Sequence, residues 1–495
     1  MSAWAIIARM SHPVRAADCA STVGHRPAPT VGHRFASVAA GGTGALCALL
    51  LATASPARVH AQSATEADNP FSMAPPTHLP YDREYPVMHY ERMPQENRIA
   101  RLQQRLDAGT IALDFTPGHG YLQSLLKALD IDPSSQVLVY SKTSLQKGDI
   151  TAATPRAIYF NDDTYVGWVQ HSDVVELGAM DSRLGQVFYT LENRAGGAHL
   201  QRQIMNCLSC HDTYELSGGG VPRFLLMSTY VDVLGNQLTH EDSILVDDQT
   251  PIKFRWGGWY VTGHTGSQVH VGNIQVHTVQ ELVHLDQVRR GNIDNLDALF
   301  NTKPYLTDKS DVVALMVLQH QVTVQNLITR ANFEVRTALS RAGVAARDID
   351  HSRAQLPPKV ASQLDGFLDD LVKGMLFVDA AAITDTIRGN SGFDAWFQAQ
   401  GPRDASGRSL RALDLRTRLF RYPLSYLVYS PAFNALPDYA KDYVYGRIAA
   451  VLAGADTGLQ PALTADERSA ISGILAATKP DYVAYVALHS SGASH

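Results

Sequence analysis

The sequence predicts an α+β protein in which a β-rich segment precedes a short helical region around residue 207 and a mainly α-helical C-terminal region follows. Two patterns carry this expectation. Between residues 136 and 177 the chain alternates short β-branched or aromatic runs with turn residues such as Asn161-Asp162-Asp163. From 310 to 343, Val313, Val317, Val324, Ile328, Val335 and Leu339 recur at helical spacing along one stripe. The expected organisation is a leader over 1–61, an extended lead-in with short helices over 62–135, a mixed region over 136–343 and a helical domain over 344–495.

Taken in order, residues 62–97 hold prolines at 70, 75, 76, 80, 86 and 94 and predict extended chain. Ile99, Leu102 and Leu106 predict a helix over 95–107, and a second helix over 121–129 should end before Asp132-Pro133. Strands are expected at 136–141, 157–160, 165–170 and 174–177. Gly196-Gly197 is read as the opening of a helix through Leu200, Ile204 and Met205 that carries Cys207 near its end. The glycines at 218–220 and Pro222 then break the chain. Residues 231–284 read as turns and short strands, 310–343 as one long helix, and 359–389 and 409–481 as helical. No internal repeat is present.

The most specific feature is Cys207-Leu208-Ser209-Cys210-His211. C-x-x-C-H is similar to the attachment signature of c-type haem proteins. From this composition, an accidental match is expected on the order of once in a thousand such chains. The resemblance implies one covalent haem c, held by thioethers from Cys207 and Cys210, with His211 as proximal ligand to the iron. It also implies a cytochrome c-like helical setting. The remaining cysteines, Cys19 and Cys47, lie in the segment expected to be removed. A zinc site would need further ligands at finger-like spacing, and a thioredoxin-like pair does not require the histidine.

The N-terminus agrees with export. Arg9, Arg15, Arg26 and Arg34 precede an apolar stretch over 36–54, and Val59-His60-Ala61 supplies a small-residue exit before Gln62. An uncleaved anchor is the rival reading. Cleavage would remove five arginines and one aspartate, leaving 37 basic and 47 acidic side chains in 434 residues. That acidic balance argues against nucleic acid as a partner. The expected location is periplasmic or otherwise extracytoplasmic, with a redox partner protein of unspecified identity and no stable membrane span after cleavage.

A second axial ligand is usually Met or His. Met227 lies 16 residues past His211 and no methionine follows until Met316, whereas histidines occur at 240, 264, 270, 277 and 284. The segment Arg255-Trp256-Gly257-Gly258-Trp259-Tyr260-Val261-Thr262-Gly263, followed by His270-Val271-Gly272-Asn273, resembles an uncharacterised family of exported bacterial haem-motif proteins. That family pairs C-x-x-C-H with R-W-G-G-W-Y-V-x-G-T-H-G and H-M-G-N. Here His264-Thr265 reverses the T-H order, and Val271 stands where the methionine would be. The resemblance, which spans about 150–423, therefore leaves His270 as the candidate distal ligand, with His264, Met205, Met227 and Met316 as alternatives.

Blander roles are open for several of these residues. His264, His270 and His320 fit hydrogen-bonded structural histidines, and Trp256 and Trp259 fit core aromatics. Asp162-Asp163 fit a hairpin turn, while Arg223 and Arg255 fit either haem propionates or ion pairs. Three functions compete: single-electron transfer, a haem enzyme such as a peroxidase or other oxidoreductase, and a haem-based sensor. The first expects six-coordinate iron, and the other two expect an open or displaceable position.

Overall fold

Six antiparallel strands follow one another in sequence order across a single sheet in the computed structural model. They are β1 (Val137–Val139), β2 (Arg156–Phe160), β3 (Thr164–Trp168), β4 (Val174–Asp181), β5 (Gly185–Glu192) and β6 (Leu200–Gln203). The structure describes residues 85–212, 220–238, 243–276, 291–456, 459 and 463–490. The expected leader, the lead-in up to residue 84, Gly218, Gly219, His240, His277 and His284 lie outside the described residues.

Strand periodicity gives the sheet two distinct faces. Ala157, Tyr159, Val166, Trp168, Val175, Leu177, Ala179, Val187, Tyr189, Leu191 and Leu200 share one buried cluster. Helices α1 (Arg98–Asp107) and α2 (Leu122–Ala128) add Ile99, Leu102, Leu122, Leu125 and Leu126 to it. On the opposite face, Phe160, Tyr165 and Met180 join a second cluster built around the long helix.

The 205–211 region departs from the expected helix opening at Gly196-Gly197. Both glycines have positive φ, 142° and 118°, and Leu200–Gln203 is strand, with Leu200 paired to Leu191. The helix, α3, runs only from Met205 to His211. A two-stranded ribbon follows, with β7 (Met227–Ser228) paired to β8 (Ile244–Leu245).

Helix α4 (Val312–Arg341) matches its expected span closely. Its cap is Asp311, whose Oδ1 accepts from Val313 N and Ala314 N at 2.7 and 3.1 Å. Among the described residues only α4 is long and apolar enough to cross a membrane, and most of it is buried inside the protein. Its polar residues reach the sheet: Gln321 and Gln325 bond the Tyr165 hydroxyl at 2.6 and 2.7 Å.

The C-terminal region supplies α5 (Pro358–Met375), α6 (Phe393–Ala399), α7 (Pro431–Asn434), α8 (Asp438–Leu452), α9 (Ala465–Thr478) and α10 (Pro480–Ser490). Their apolar residues enter the same cluster as α4, so this region shares a core with the long helix. Residues 376–389 and most of 409–430 are irregular, where the sequence pattern suggested continuous helix.

Candidate functional site

The C-x-x-C-H motif occupies α3, where His211 packs on Phe188 of β5, against which Phe224 from the segment before β7 also packs. Cys207 and Cys210 are free thiols, the first half-buried and the second exposed. Burial, with the nearby Glu176 carboxylate, pushes the Cys207 thiol up to about 12. Cys207 is therefore held as a neutral thiol at physiological pH. Glu176 is itself paired with Arg156 at 2.7 Å.

His211 is fixed by a specific arrangement. Its Nδ1 lies 2.6 Å from the Arg223 carbonyl oxygen, which can only accept. Nδ1 therefore carries the proton, and the Nε2 lone pair is left unengaged among the described residues. The chain returns the contact, with Arg223 N donating to the His211 carbonyl at 2.9 Å. Phe188 packs beside the imidazole at 4.5 Å between ring centres. Burial drives the His211 pKa down to about 4, so the ring is neutral near pH 7.

Long-range packing places the Arg223 carbonyl. Asn326 on α4 donates to Phe224 O at 2.8 Å and accepts from Phe224 N at 3.0 Å, clamping the residue after Arg223. The Phe224 ring lies over Gly178 in β4, packed at 4.4 Å from Tyr165 and 5.6 Å from Phe188. A Cβ at residue 178 would fall 2.5 Å from that ring, so glycine is required for this approach. Nothing in the sequence marked Asn326 or Gly178, because each acts only through a partner far away in the chain.

Asp212 follows the motif and is 5% exposed, with its Oδ2 buried and without a hydrogen-bond partner among the described residues. Burial raises its carboxyl to about 6. A raised acid costs stability when it ionises. The cost is absent below about pH 4, grows as pH rises, and is complete above about pH 6. Asp212→Asn should therefore stabilise the protein by about 1–2 kcal/mol at pH 7.5, after solvent screening is allowed for, with little gain at pH 4. Urea unfolding at both pH values measures this; an equal effect at the two would contradict it.

The residues named with the motif are dispersed. Trp256 and Trp259 are core aromatics, 0% and 4% exposed, and Trp259 Nε1 donates to Met227 O at 2.8 Å. Met205 begins α3 and Met316 is buried in α4. His264 bonds Asp294 at 3.1 Å, and His320 is enclosed between Asp248 and Ser425. The Arg255 guanidinium is buried and donates to the Thr250 and Asp248 carbonyls. Asp162 and Asp163 do form the β2–β3 turn, where they pair with Arg411 and Arg98.

His270 is 3% exposed and packs edge-on against Trp256 at 5.3 Å. Its Nδ1 accepts from Gly272 N at 3.0 Å. A backbone N–H can only donate, so this bond puts the ring proton on Nε2. None of the hydrogen bonds or ring contacts of His211 involves His270.

The motif residues fit a covalently attached haem on local grounds. Both thiols are free, and the imidazole presents Nε2 with Nδ1–H anchored to a carbonyl, the arrangement usual for metal-bound histidine. No group of three or more His, Cys, Asp or Glu converges as a metal cluster among the described residues. The two thiols and the imidazole therefore do not meet at one point, as tetrahedral zinc would require. Comparison with protein-family models, curated proteins and solved structures finds no match for this chain.

Proposed function

We propose that this protein is an exported, periplasmic c-type haem protein that transfers single electrons through one haem c in a cytochrome c-like setting. The observation that carries the reading is the His211 Nδ1 to Arg223 carbonyl bond at 2.6 Å beside two free thiols. Cys207 and Cys210 would hold the haem edge and His211 Nε2 the iron. The bound haem would supply a reversible one-electron iron couple.

The chain's own contribution is orientation and exclusion of water. The Arg223 carbonyl fixes the imidazole tautomer and increases its basicity, and Phe188 excludes water from one side of the ring. Neutrality of the buried His211 at pH 7 keeps its lone pair available. Optical spectra of the oxidised and reduced protein, with and without carbon monoxide, test the electron-transfer role. Six-coordinate low-spin spectra insensitive to carbon monoxide are expected. Rapid carbon monoxide binding would instead favour an enzyme or sensor.

His270 remains the proposed distal ligand, on the sequence resemblance. In the described arrangement its Nε2 bears the proton, so ligation requires loss of the Gly272 contact. With His270 bound, His270→Ala should convert the ferric spectrum from low-spin to high-spin. An unchanged spectrum removes His270 from the iron.

A further inference from the structure

A cavity of about 220 Å³ lies against the long helix, lined in part by Asp248, Arg255, Met316, Phe377, Ile383 and Phe420. Its alanine segment, residues 380–382, includes the exposed Ala382 and provides an opening to solvent. The volume falls below the roughly 300–1,000 Å³ typical of drug-sized sites, which restricts the occupant to a small molecule.

Behind this cavity, three side chains form a relay. His320 Nδ1 lies 2.6 Å from Asp248 Oδ2, and His320 Nε2 lies 2.8 Å from Ser425 Oγ. These are the contacts of a serine nucleophile, its base and an orienting carboxylate. Access runs the wrong way for that chemistry. Ser425 is fully buried, does not line the cavity, and accepts from Leu427 N at 3.3 Å. The end that reaches the cavity is Asp248. Its Oδ1 makes no hydrogen bond among the described residues and is not sealed from solvent.

Arg255 offers the complementary group. Nε and Nη2 are held by the Thr250 and Asp248 carbonyls at 2.6 and 3.2 Å, which fixes the guanidinium plane. Nη1 makes no hydrogen bond among the described residues and likewise is not sealed off. One fixed acceptor and one fixed donor of opposite charge thus line a cavity whose other walls are largely aliphatic and aromatic. Phe377 stacks on His320 at 4.2 Å, and both Phe377 and Asp379 have positive φ, 55° and 58°. For a bulky phenylalanine that backbone is costly, and such strain concentrates at binding sites.

We infer that this cavity binds a small apolar α-amino acid, with its ammonium on Asp248, its carboxylate on Arg255 and its side chain against Phe377, Ile383 and Phe420. A zwitterion engages both open positions, Asp248 Oδ1 and Arg255 Nη1, whereas a simple amine or acid engages only one of them. His320 acts as a positioning residue that holds the Asp248 carboxylate.

Calorimetric titration of the full-length protein with L-leucine, L-methionine and L-phenylalanine tests the inference. At least one should bind. Isopentylamine and 4-methylpentanoate, which each lack one charge of leucine, should bind at least about tenfold more weakly than the best amino acid. Asp248→Asn should weaken amino-acid binding by a similar factor. Ile383→Trp, which fills the cavity but leaves both charges, should abolish it while haem staining is retained. The inference is overturned if no amino acid binds, if a single-charge analogue binds equally well, or if Ile383→Trp binds undiminished. Haem attachment is read separately, so failure here leaves the electron-transfer proposal standing.

Discussion

The double variant Cys207→Ser, Cys210→Ser is expected to carry no haem through a denaturing gel, whereas the unmodified exported protein should stain for haem peroxidase activity. Thioether bonds survive denaturation and axial coordination does not, so the gel separates attachment from ligation. Each single variant should retain a weaker covalent signal through its remaining thiol. Cys207, half-buried beside Glu176, is held more firmly than the exposed Cys210, so Cys210→Ser should leave the better-oriented attachment. His211→Ala should leave both thiols in place but destroy the low-spin spectrum, because the strong-field imidazole is gone. Full staining of the double variant would refute covalent attachment at this motif, and with it the proposed function.

The largest effect on stability is expected at Asp311→Ala. This carboxylate is fully buried and satisfies four backbone donors. Oδ1 accepts from Val313 N and Ala314 N, opening α4, while Oδ2 accepts from Asn390 N at 2.6 Å and Ser391 N at 2.8 Å. One side chain therefore joins the start of the central helix to the loop before α6. Alanine would remove a helix cap and leave the two partly buried loop amides without their acceptor. Charge-assisted bonds of this kind contribute about 1.5–3 kcal/mol each, and stranded buried donors cost about 1–3 kcal/mol. With partial relaxation, a loss of about 4 kcal/mol is expected from urea unfolding. Asp311→Asn keeps one acceptor oxygen but presents an amide to donors on the other side, so an intermediate loss is expected. A loss below about 1 kcal/mol for alanine, no more than an exposed cap, would show that the two loop bonds contribute nothing.

The sequence by itself determined the elements whose signals are local. The helical repeat of Val313, Val317, Val324, Ile328, Val335 and Leu339 produced α4 nearly to the residue, since apolar periodicity and an aspartate cap lie within the segment. The first four strands were legible because β-branched and aromatic runs are bounded by turns. The proposal that Cys207, Cys210 and His211 hold a haem likewise rests on local information, residue types at fixed spacing.

What the tertiary structure decided depends on partners distant in the chain. Leu200 and Ile204 fall at helical spacing, yet Leu200–Gln203 becomes a strand because β5 offers an open edge and Leu191 as its partner. Residues 376–389 leave the helical state where Phe377 turns onto His320. The orientation of His211 rests on a carbonyl 12 residues away, clamped by Asn326 a further 102 residues from Phe224. The cavity beside Asp248 and Arg255 brings together five segments that share no sequence pattern. A local pattern records which groups a segment can offer, whereas burial, tautomer and contact arise only when remote segments pack and exclude water.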